Sequence, residues 1–326
     1  MDDEYTLVTG ITGFIGSHVV ERLLTENYHI LAVVRNSQVR REIDEFRLKG
    51  AVFVEGHFYD DTVISTIFSR YRIGNVIHIA AVRGAGNGER DDYQTVNVQG
   101  TEVLLKHSHK NDVKRFIYCS SVGVYGTIPS ELPASADTAF NGDNDYHKSK
   151  ILAEIKVMEY IAKGLNAFIV RPTITYGERD NGFAYTLIKL VRKRLLILPF
   201  SDTKIHLLDV SSLAELFVQL MKVENIHHRI FNVGDETAVS MNKLVDAIYY
   251  AIYKKRYPFF LKLPDSIFKL SIMLLHFIKS DKWLVRFLLI SKDWYYDISS
   301  ATRELGFKPA DTMSRLSSLV NESESR

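Results

Sequence analysis

Tyrosine and lysine four residues apart on a helix share one face. A phenol held beside an ammonium can exchange a proton with a carbonyl or alcohol oxygen. The stretch NDYHKSKILAEIKVMEY, residues 144 to 160, carries such a pair in Tyr146 and Lys150. The same spacing recurs at Tyr185/Lys189 and Tyr250/Lys254, so among 17 tyrosines it does not single out a site by itself. What separates the first pair is its company. The run RFIYCSS reads as a strand that delivers Ser121 to the carboxyl edge of a sheet, where open α/β sheets bind ligands. Ser121, Tyr146 and Lys150 form the candidate catalytic group. The two later pairs read as helix surface.

A second pattern could hold the other half of a reaction. TLVTGITGFIGSHVV spaces Gly10, Gly13 and Gly16 between a strand and a helix. A tight turn, close backbone approach and a helix N-terminus together suit a diphosphate.

The elements that must position these residues alternate. YTLVTG, HILAVV, AVFVEG, NVIHIAA, RFIYCSS and AFIVRP read as strands, separated by helical stretches such as FIGSHVVERLLTEN, with Ile15, Val19, Leu23 and Leu24 on one face. Nearly continuous apolar strands between helices imply a parallel sheet covered on both sides. The expected fold is α/β, a doubly wound parallel-sheet Rossmann domain over residues 1–172. Segments near 204–234 are expected to return to it. A smaller, mostly helical C-terminal lobe spans 173–320, and 321–326 reads as a disordered tail.

The composition of the 326 residues, 46% hydrophobic and 25% charged with net charge +2, is that of a globular protein with no bulk charge to attract nucleic acid. The single cysteine, Cys119, excludes an intramolecular disulfide and fits a reducing cytoplasm. No Cys/His metal spacing is present, so no metal site is expected. The opening MDDEYTLVTG enters a strand directly and gives no expectation of a secretory leader. Residues 267 to 290, IFKLSIMLLHFIKSDKWLVRFLLI, are interrupted by charges. They read as a helix pair closing a substrate lobe, in preference to a segment lying on a membrane surface.

These motifs, with HIAA (78–81), NVQGT (97–101), SSVGVYG (120–126), YHKSK, RPTITYG (171–177), FNVGDE (231–236) and ATRELGFKP (301–309), make the chain resemble the extended short-chain dehydrogenase/reductase superfamily, in its epimerase/dehydratase/reductase branch. The resemblance covers nearly the whole chain and includes the offset of Ser121, 25 residues ahead of Tyr146. It implies that Tyr146 exchanges a proton with the substrate oxygen, that Ser121 hydrogen-bonds it, and that Lys150 holds the nicotinamide ribose and lowers the phenol's pKa. Cofactor contacts are expected from Gly10, Gly13, Phe14, Ile15, Gly16, Ala80, Ala81, Asn97, Tyr146, Lys150 and Pro172. Val34 stands where NAD-preferring relatives carry aspartate, and Arg35 follows, placed to pair with a 2′-phosphate, so NADP is the expected cofactor with NAD the other option. Arg40 or Arg41 could assist. Relatives read G-D-L where this chain has GHF, which puts His57 in the place of an adenine-contacting aspartate.

On the substrate side the resemblance implies Arg83, Ser121, Arg171 and Tyr176, with Lys204 in KIHLLDVSSLA near the place of a diphosphate-gripping arginine. The loop at 83–93, RGAGNGERDDY, is expected to cover the substrate. Val122 and Gly123 stand where sugar dehydratases carry an acid–base pair, which disfavours dehydration. The expected activity is therefore a nucleotide-sugar 4-ketoreductase or epimerase. Reduction of an apolar ketone, in the manner of dihydroflavonol reductases or 3β-hydroxysteroid dehydrogenases, is the alternative, and a non-catalytic NADP sensor a third. A homodimer built on helices near 95–109 and 146–163 is also implied.

Overall fold

Apolar runs flanked by glycine or charge become the strands of one parallel sheet in the computed structural model, which describes residues 4–35, 41–83, 92–277 and 281–322. The first half alternates as the sequence suggests. It runs β1 (Glu4–Thr9), α1 (Phe14–Thr25), β2 (His29–Val34), α2 (Arg41–Leu48), β3 (Val52–Glu55), α3 (Asp61–Arg70) and β4 (Arg72–His78). Then come α4 (Gly100–Lys110), β5 (Arg115–Cys119), α5 (Asp145–Ala162) and β6 (Ala167–Pro172). Several helix starts are explained by their caps. Asp60 accepts from the Thr62 and Val63 amides ahead of α3, and Asn144 accepts from the His147 amide ahead of α5.

After β6 the chain builds smaller pieces. These are β7 (Ile174–Tyr176), α6 (Phe183–Arg192), β8 (Leu198–Pro199), β9 (Lys204–Ile205), β10 (Leu207–Asp209) and α7 (Val210–Lys222). They are followed by β11 (Ile230–Val233), β12 (Val239–Ser240), α8 (Met241–Tyr253), β13 (Lys262–Leu263), α9 (Asp265–Phe277), α10 (Asp281–Ser291), α11 (Ser299–Leu305) and α12 (Thr312–Glu322). The main sheet has seven strands in the order β11-β6-β5-β4-β1-β2-β3, every pairing parallel. The chain winds outward from β1 through β2 to β3, then crosses back to place β4 on the other side of β1 and winds outward again through β5 and β6. The crevice at the carboxyl ends of β1 and β4 is the switch point at which such sheets bind ligands.

One core cluster joins both halves of the sequence. Val8 and Val19 pack in the same buried group as Leu213 and Phe217 of α7, Phe231 of β11, and Phe307 beyond α11. Helix α7 lies against α1, tied to it by the Arg22–Glu215 ion pair at 2.7 Å. A separate cluster around Tyr125, Leu187, Trp294 and Tyr296 forms the second lobe. The small two-stranded pairings β7–β10, β9–β12 and β8–β13 organise that lobe. Strands of two or three residues leave no alternation to read, which is why the sequence did not announce them.

Candidate active site

The chain reverses between β1 and α1 through Gly10, whose φ of +81° is open to glycine at little cost. No side chain caps α1, so its first amides remain available to an anion. The approach of the backbone is tight. A Cβ on Gly10 would stand 2.7 Å from the Ala80 amide nitrogen, and one on Gly16 would stand 2.0 Å from the Gly10 carbonyl oxygen. Both obstacles are main chain and cannot swing aside. The cradle fits a dinucleotide diphosphate. Gly16→Ala is therefore expected to displace the loop and weaken dinucleotide binding on the order of tenfold or more, as overpacking costs about 1–3 kcal/mol. Titration of the variant by intrinsic fluorescence checks this, and unchanged affinity would reject the cradle.

Behind the loop, buried polar groups fix the second wall. Thr101 spends its hydroxyl proton on the Asn97 carbonyl at 2.6 Å, so the contact from His78 Nε2 at 2.9 Å must come from an N–H. His78 Nδ1 is then an acceptor for Thr9 Oγ1 at 2.7 Å, and Thr9 in turn accepts from the Ala80 amide. Burial holds the imidazole neutral, its pKa pushed down to about 3, with Lys150 adding to the effect. Asn97 grips both backbone groups of Val82 and donates to Ser149. It sits in a π-helical turn, Tyr93–Gln99, ahead of α4. Such bulges are frequent at functional sites.

These walls open into a cleft of about 430 Å³ between the sheet and the second lobe. Phe14, Ile15, Ala81 and Pro172 line the sheet side, where Ser121, Tyr146 and Lys150 converge. Ser121 Oγ accepts from the Gly123 amide at 3.0 Å, leaving its proton to donate. Lys150 Nζ donates to the Cys119 carbonyl at 2.8 Å and to the Tyr118 hydroxyl at 3.2 Å. Burial pushes its pKa down to about 8. Tyr146 is pushed up to about 12 by burial, against the lowering pull of Arg83 and a hydrogen bond with Ser121. Sequence reasoning expected Lys150 to lower the phenol. In the structure its ammonium is turned onto β5, and Arg83 supplies the nearby positive charge.

Three expected substrate contacts do not reach the cleft. Arg171 is 1% exposed and clamps Glu154 through two nitrogens at 2.6 and 2.9 Å, with a third hydrogen bond to Tyr125. Side chains alternate along a strand, so Pro172 facing the cleft sends Arg171 the other way. The Tyr176 hydroxyl donates to the buried Asp235 carboxylate at 2.6 Å. Burial raises Asp235 to about 6 and Tyr176 well above its usual range. Lys204 is exposed on β9 and does not line the cleft. His57 is exposed and stacks on Tyr59 at 4.7 Å. Arg35 is exposed directly after β2, whereas Arg40, the Arg41 side chain and residues 84–91 of the glycine-rich loop lie outside the described residues, as do 323–326 of the tail.

Among the cleft residues that went unread in the sequence, one has the chemistry to move a proton. His147 lines the pocket, its Nδ1 paired with Asp143. Burial would raise that carboxyl, but hydrogen bonds from His147 and Thr127 prevail and hold it at about 2. The signal was present as an Asp and a His four apart on the segment that carries Tyr146. A Cβ on Gly123 would stand 2.5 Å from the His147 ring, so that ring fills the place a side chain at 123 would need.

The profile of the NAD dependent epimerase/dehydratase family matches residues 6–234. The UDP-glucose 4-epimerase of Vibrio cholerae is 29% identical over 319 residues, 94% of this chain and 91% of that one. The Erwinia amylovora UDP-glucose 4-epimerase is 34% identical over 161 residues, spanning 47% of this chain and 48% of that protein. A crystal structure of the Thermotoga maritima UDP-glucose 4-epimerase with UDP-glucose superposes with a TM-score of 0.77 at 23% identity, covering 98% of this chain and 99% of that one, which shows a common fold. The family match takes in the glycine turn, the Ser121 strand and the Tyr146 helix together, and on it the chain belongs to the NAD dependent epimerase/dehydratase family, an enzyme of the extended short-chain dehydrogenase/reductase type.

Proposed function

We propose that this enzyme inverts the hydroxyl-bearing carbon 4 of a nucleoside-diphosphate hexose, or reduces a ketone at that carbon to the alcohol. The observation that carries the reading is the convergence of Ser121, Tyr146 and Lys150 in a cleft that Phe14 and Ile15, at the start of α1, also line. When bound, the nicotinamide dinucleotide takes a hydride from the sugar carbon or gives one to it. The chain's own residues handle the proton and the geometry. Tyr146 passes the proton to or from the sugar oxygen. Ser121 donates to that oxygen as charge develops on it. Lys150, with two of its three N–H groups committed to β5, offers the remaining one to the nicotinamide ribose. Gly10, Gly13 and Gly16 seat the diphosphate, Phe14, Ile15, Ala80, Ala81 and Pro172 enclose the dinucleotide, and Asn97 holds the Val82 backbone beside it. Arg83 faces the sugar. The absence of a carboxylate at Val122 and Gly123 supports this over dehydration.

The test is to give the purified chain UDP-glucose and resolve the UDP-hexoses chromatographically. A 4-epimer appearing without added reductant supports epimerisation. Turnover of a UDP-4-keto-hexose with added NADPH, and none of UDP-glucose, supports reduction. Turnover of an apolar ketone with none of a nucleotide sugar would reject the reading.

Within this proposal the cofactor is NADP, since an acidic residue at position 34 would repel a 2′-phosphate, whereas Val34 and Arg35 do not. A charge-assisted hydrogen bond is worth about 1.5–3 kcal/mol. NADPH is therefore expected to bind at least tenfold tighter than NADH, and Arg35→Asp to reverse the order, in paired titrations of the stripped protein. NADH preference in the unmodified chain would remove Arg35 from the site and leave Tyr146 untouched. A homodimer is supported by the exposed Leu152, Ile155 and Met158 along α5. The buried, reduced Cys119 agrees with a cytoplasmic location.

A further inference from the structure

Helix α9 is apolar on both sides, and only one side is covered. Phe268 is buried against Phe287 of α10, with ring centroids 5.7 Å apart. On the other side Ile267, Leu270, Leu274 and Phe277 follow at intervals of three and four residues, and they are 43, 60, 57 and 84% exposed. A helix apolar all round belongs in a core or against something apolar. Nearby, the turn Phe259–Leu261 holds Phe259 and Phe260 out at 74 and 79% exposure. Phe259 stacks on Phe200, itself exposed, at 5.3 Å, while β13 beside the turn pairs with β8. Exposed apolar surface gathered in this way marks a contact surface, whereas ordinary surface apolar residues are scattered singly.

Charge decides what covers it. Between Tyr250 and Lys292 the sequence carries nine Lys and Arg against two acids, Asp265 and Asp281, in a chain whose total is only +2. The rest of the chain is therefore net negative. Lys254, Lys255, Arg256, Lys269 and Arg286 are exposed. A second copy seated on this face would bring two such positive segments together, which like-charge repulsion disfavours. An anionic lipid surface complements both features. Phenylalanine and leucine enter the headgroup boundary, and long basic side chains reach the phosphates. Among the described residues no helix is long and apolar enough to cross a membrane.

We propose that α9 and the Phe259–Phe260 turn dock this protein on an anionic lipid surface. Sequence reasoning preferred a helix pair that closes the substrate lobe. The hairpin does this as well, because Val285 and Leu289 of α10 line the cleft. One side of the hairpin walls the active site and the other meets lipid.

The test is sedimentation of the full chain with vesicles of phosphatidylcholine mixed with phosphatidylglycerol, and with phosphatidylcholine alone. The chain is expected to sediment with the mixed vesicles and to be released by salt. Leu270→Ser with Phe277→Ser should weaken binding at least tenfold. Lys254→Ala and Lys255→Ala should each weaken it about fivefold. Dinucleotide titration and circular dichroism confirm that each variant folds. If the serine variant does not, the lysine variants and the salt series decide. Wild-type protein that stays in the supernatant with mixed vesicles at low salt overturns the proposal. So does vesicle binding that the serine and lysine substitutions leave unchanged. Self-association that Leu270→Ser with Phe277→Ser abolishes, without vesicle binding, assigns the face to a second copy and overturns it too.

Discussion

Tyr146→Phe is expected to lower turnover on the order of a thousandfold, within the usual range for loss of a general acid or base. Dinucleotide affinity should stay close to that of the unmodified chain. The substitution removes one oxygen and keeps the ring. Tyr146 is half-buried in the cleft wall, so its packing survives. The protein holds the phenol at about 12, burial outweighing Arg83 and Ser121. At neutral pH the phenolate is therefore a minor species, and its fraction rises with pH throughout the accessible range. Sugar oxidation, which needs the phenolate to take a proton, should accelerate as pH rises in the unmodified enzyme. In Tyr146→Phe that dependence should be flat. Steady-state turnover across pH, with each variant saturated in dinucleotide, measures both effects. A variant within tenfold of the parent that keeps its pH dependence would show that another group moves the proton. His147, seated on Asp143 in the same cleft, is then the residue to replace next.

Arg171→Ala should destabilise the fold by about 3–5 kcal/mol, the cost of leaving a buried charge without its partner. Glu154 and Arg171 are each 1% exposed. Arg171 also reaches Tyr125 and the Ala136 carbonyl, and the Tyr125 hydroxyl donates to Asn232 Oδ1 on β11 at 2.8 Å. Removing the guanidinium strands a carboxylate and unpairs three elements at once. Urea unfolding followed by circular dichroism reads the loss as a lower midpoint at unchanged slope. The double variant Arg171→Met with Glu154→Leu should recover most of it, because two apolar side chains replace both charges together. Were Arg171 a substrate contact, the single variant would instead keep its midpoint and raise KM. The two outcomes are distinct.

The comparison of these two residues shows what a sequence can convey. Tyr146 was legible because its partners are local in kind: a helix repeat, a strand end and a glycine turn, each with a period or a residue type that physics ties to a conformation. The parallel sheet was legible for the same reason, through apolar runs such as HILAVV and AFIVRP. Arg171 was not. Its neighbours Glu154, Tyr125 and Asn232 come from three distant segments, and only tertiary packing decides whether a strand arginine meets solvent, substrate or a buried carboxylate. The Lys150 ammonium is a similar case. Its place on the helix followed from spacing, but its rotation onto the Cys119 carbonyl did not. The exposed side of α9 was legible only in part: the charges that interrupt residues 267 to 290 favoured a helix pair closing the substrate lobe over a segment on a membrane surface, and nothing local tells which side a neighbour leaves bare.

The strand β11 carries a consequence for how the chain is made. It completes the main sheet beside β6, yet 57 residues, α7 among them, separate the two in sequence. The core beneath it also waits for Ala301, Leu305 and Phe307. During synthesis, at roughly 5–20 residues per second, β6 emerges on the order of ten seconds before the last of these. For roughly the first half of that interval, until α7 and β11 have been made, the nascent sheet presents a bare parallel edge and the side of α1 that later meets α7 stays uncovered. An unpaired edge of this kind is open to pairing with another chain. A ribosome-bound helper that shields apolar surface would therefore act on this protein midway through translation, and a chain truncated before Phe307 should aggregate.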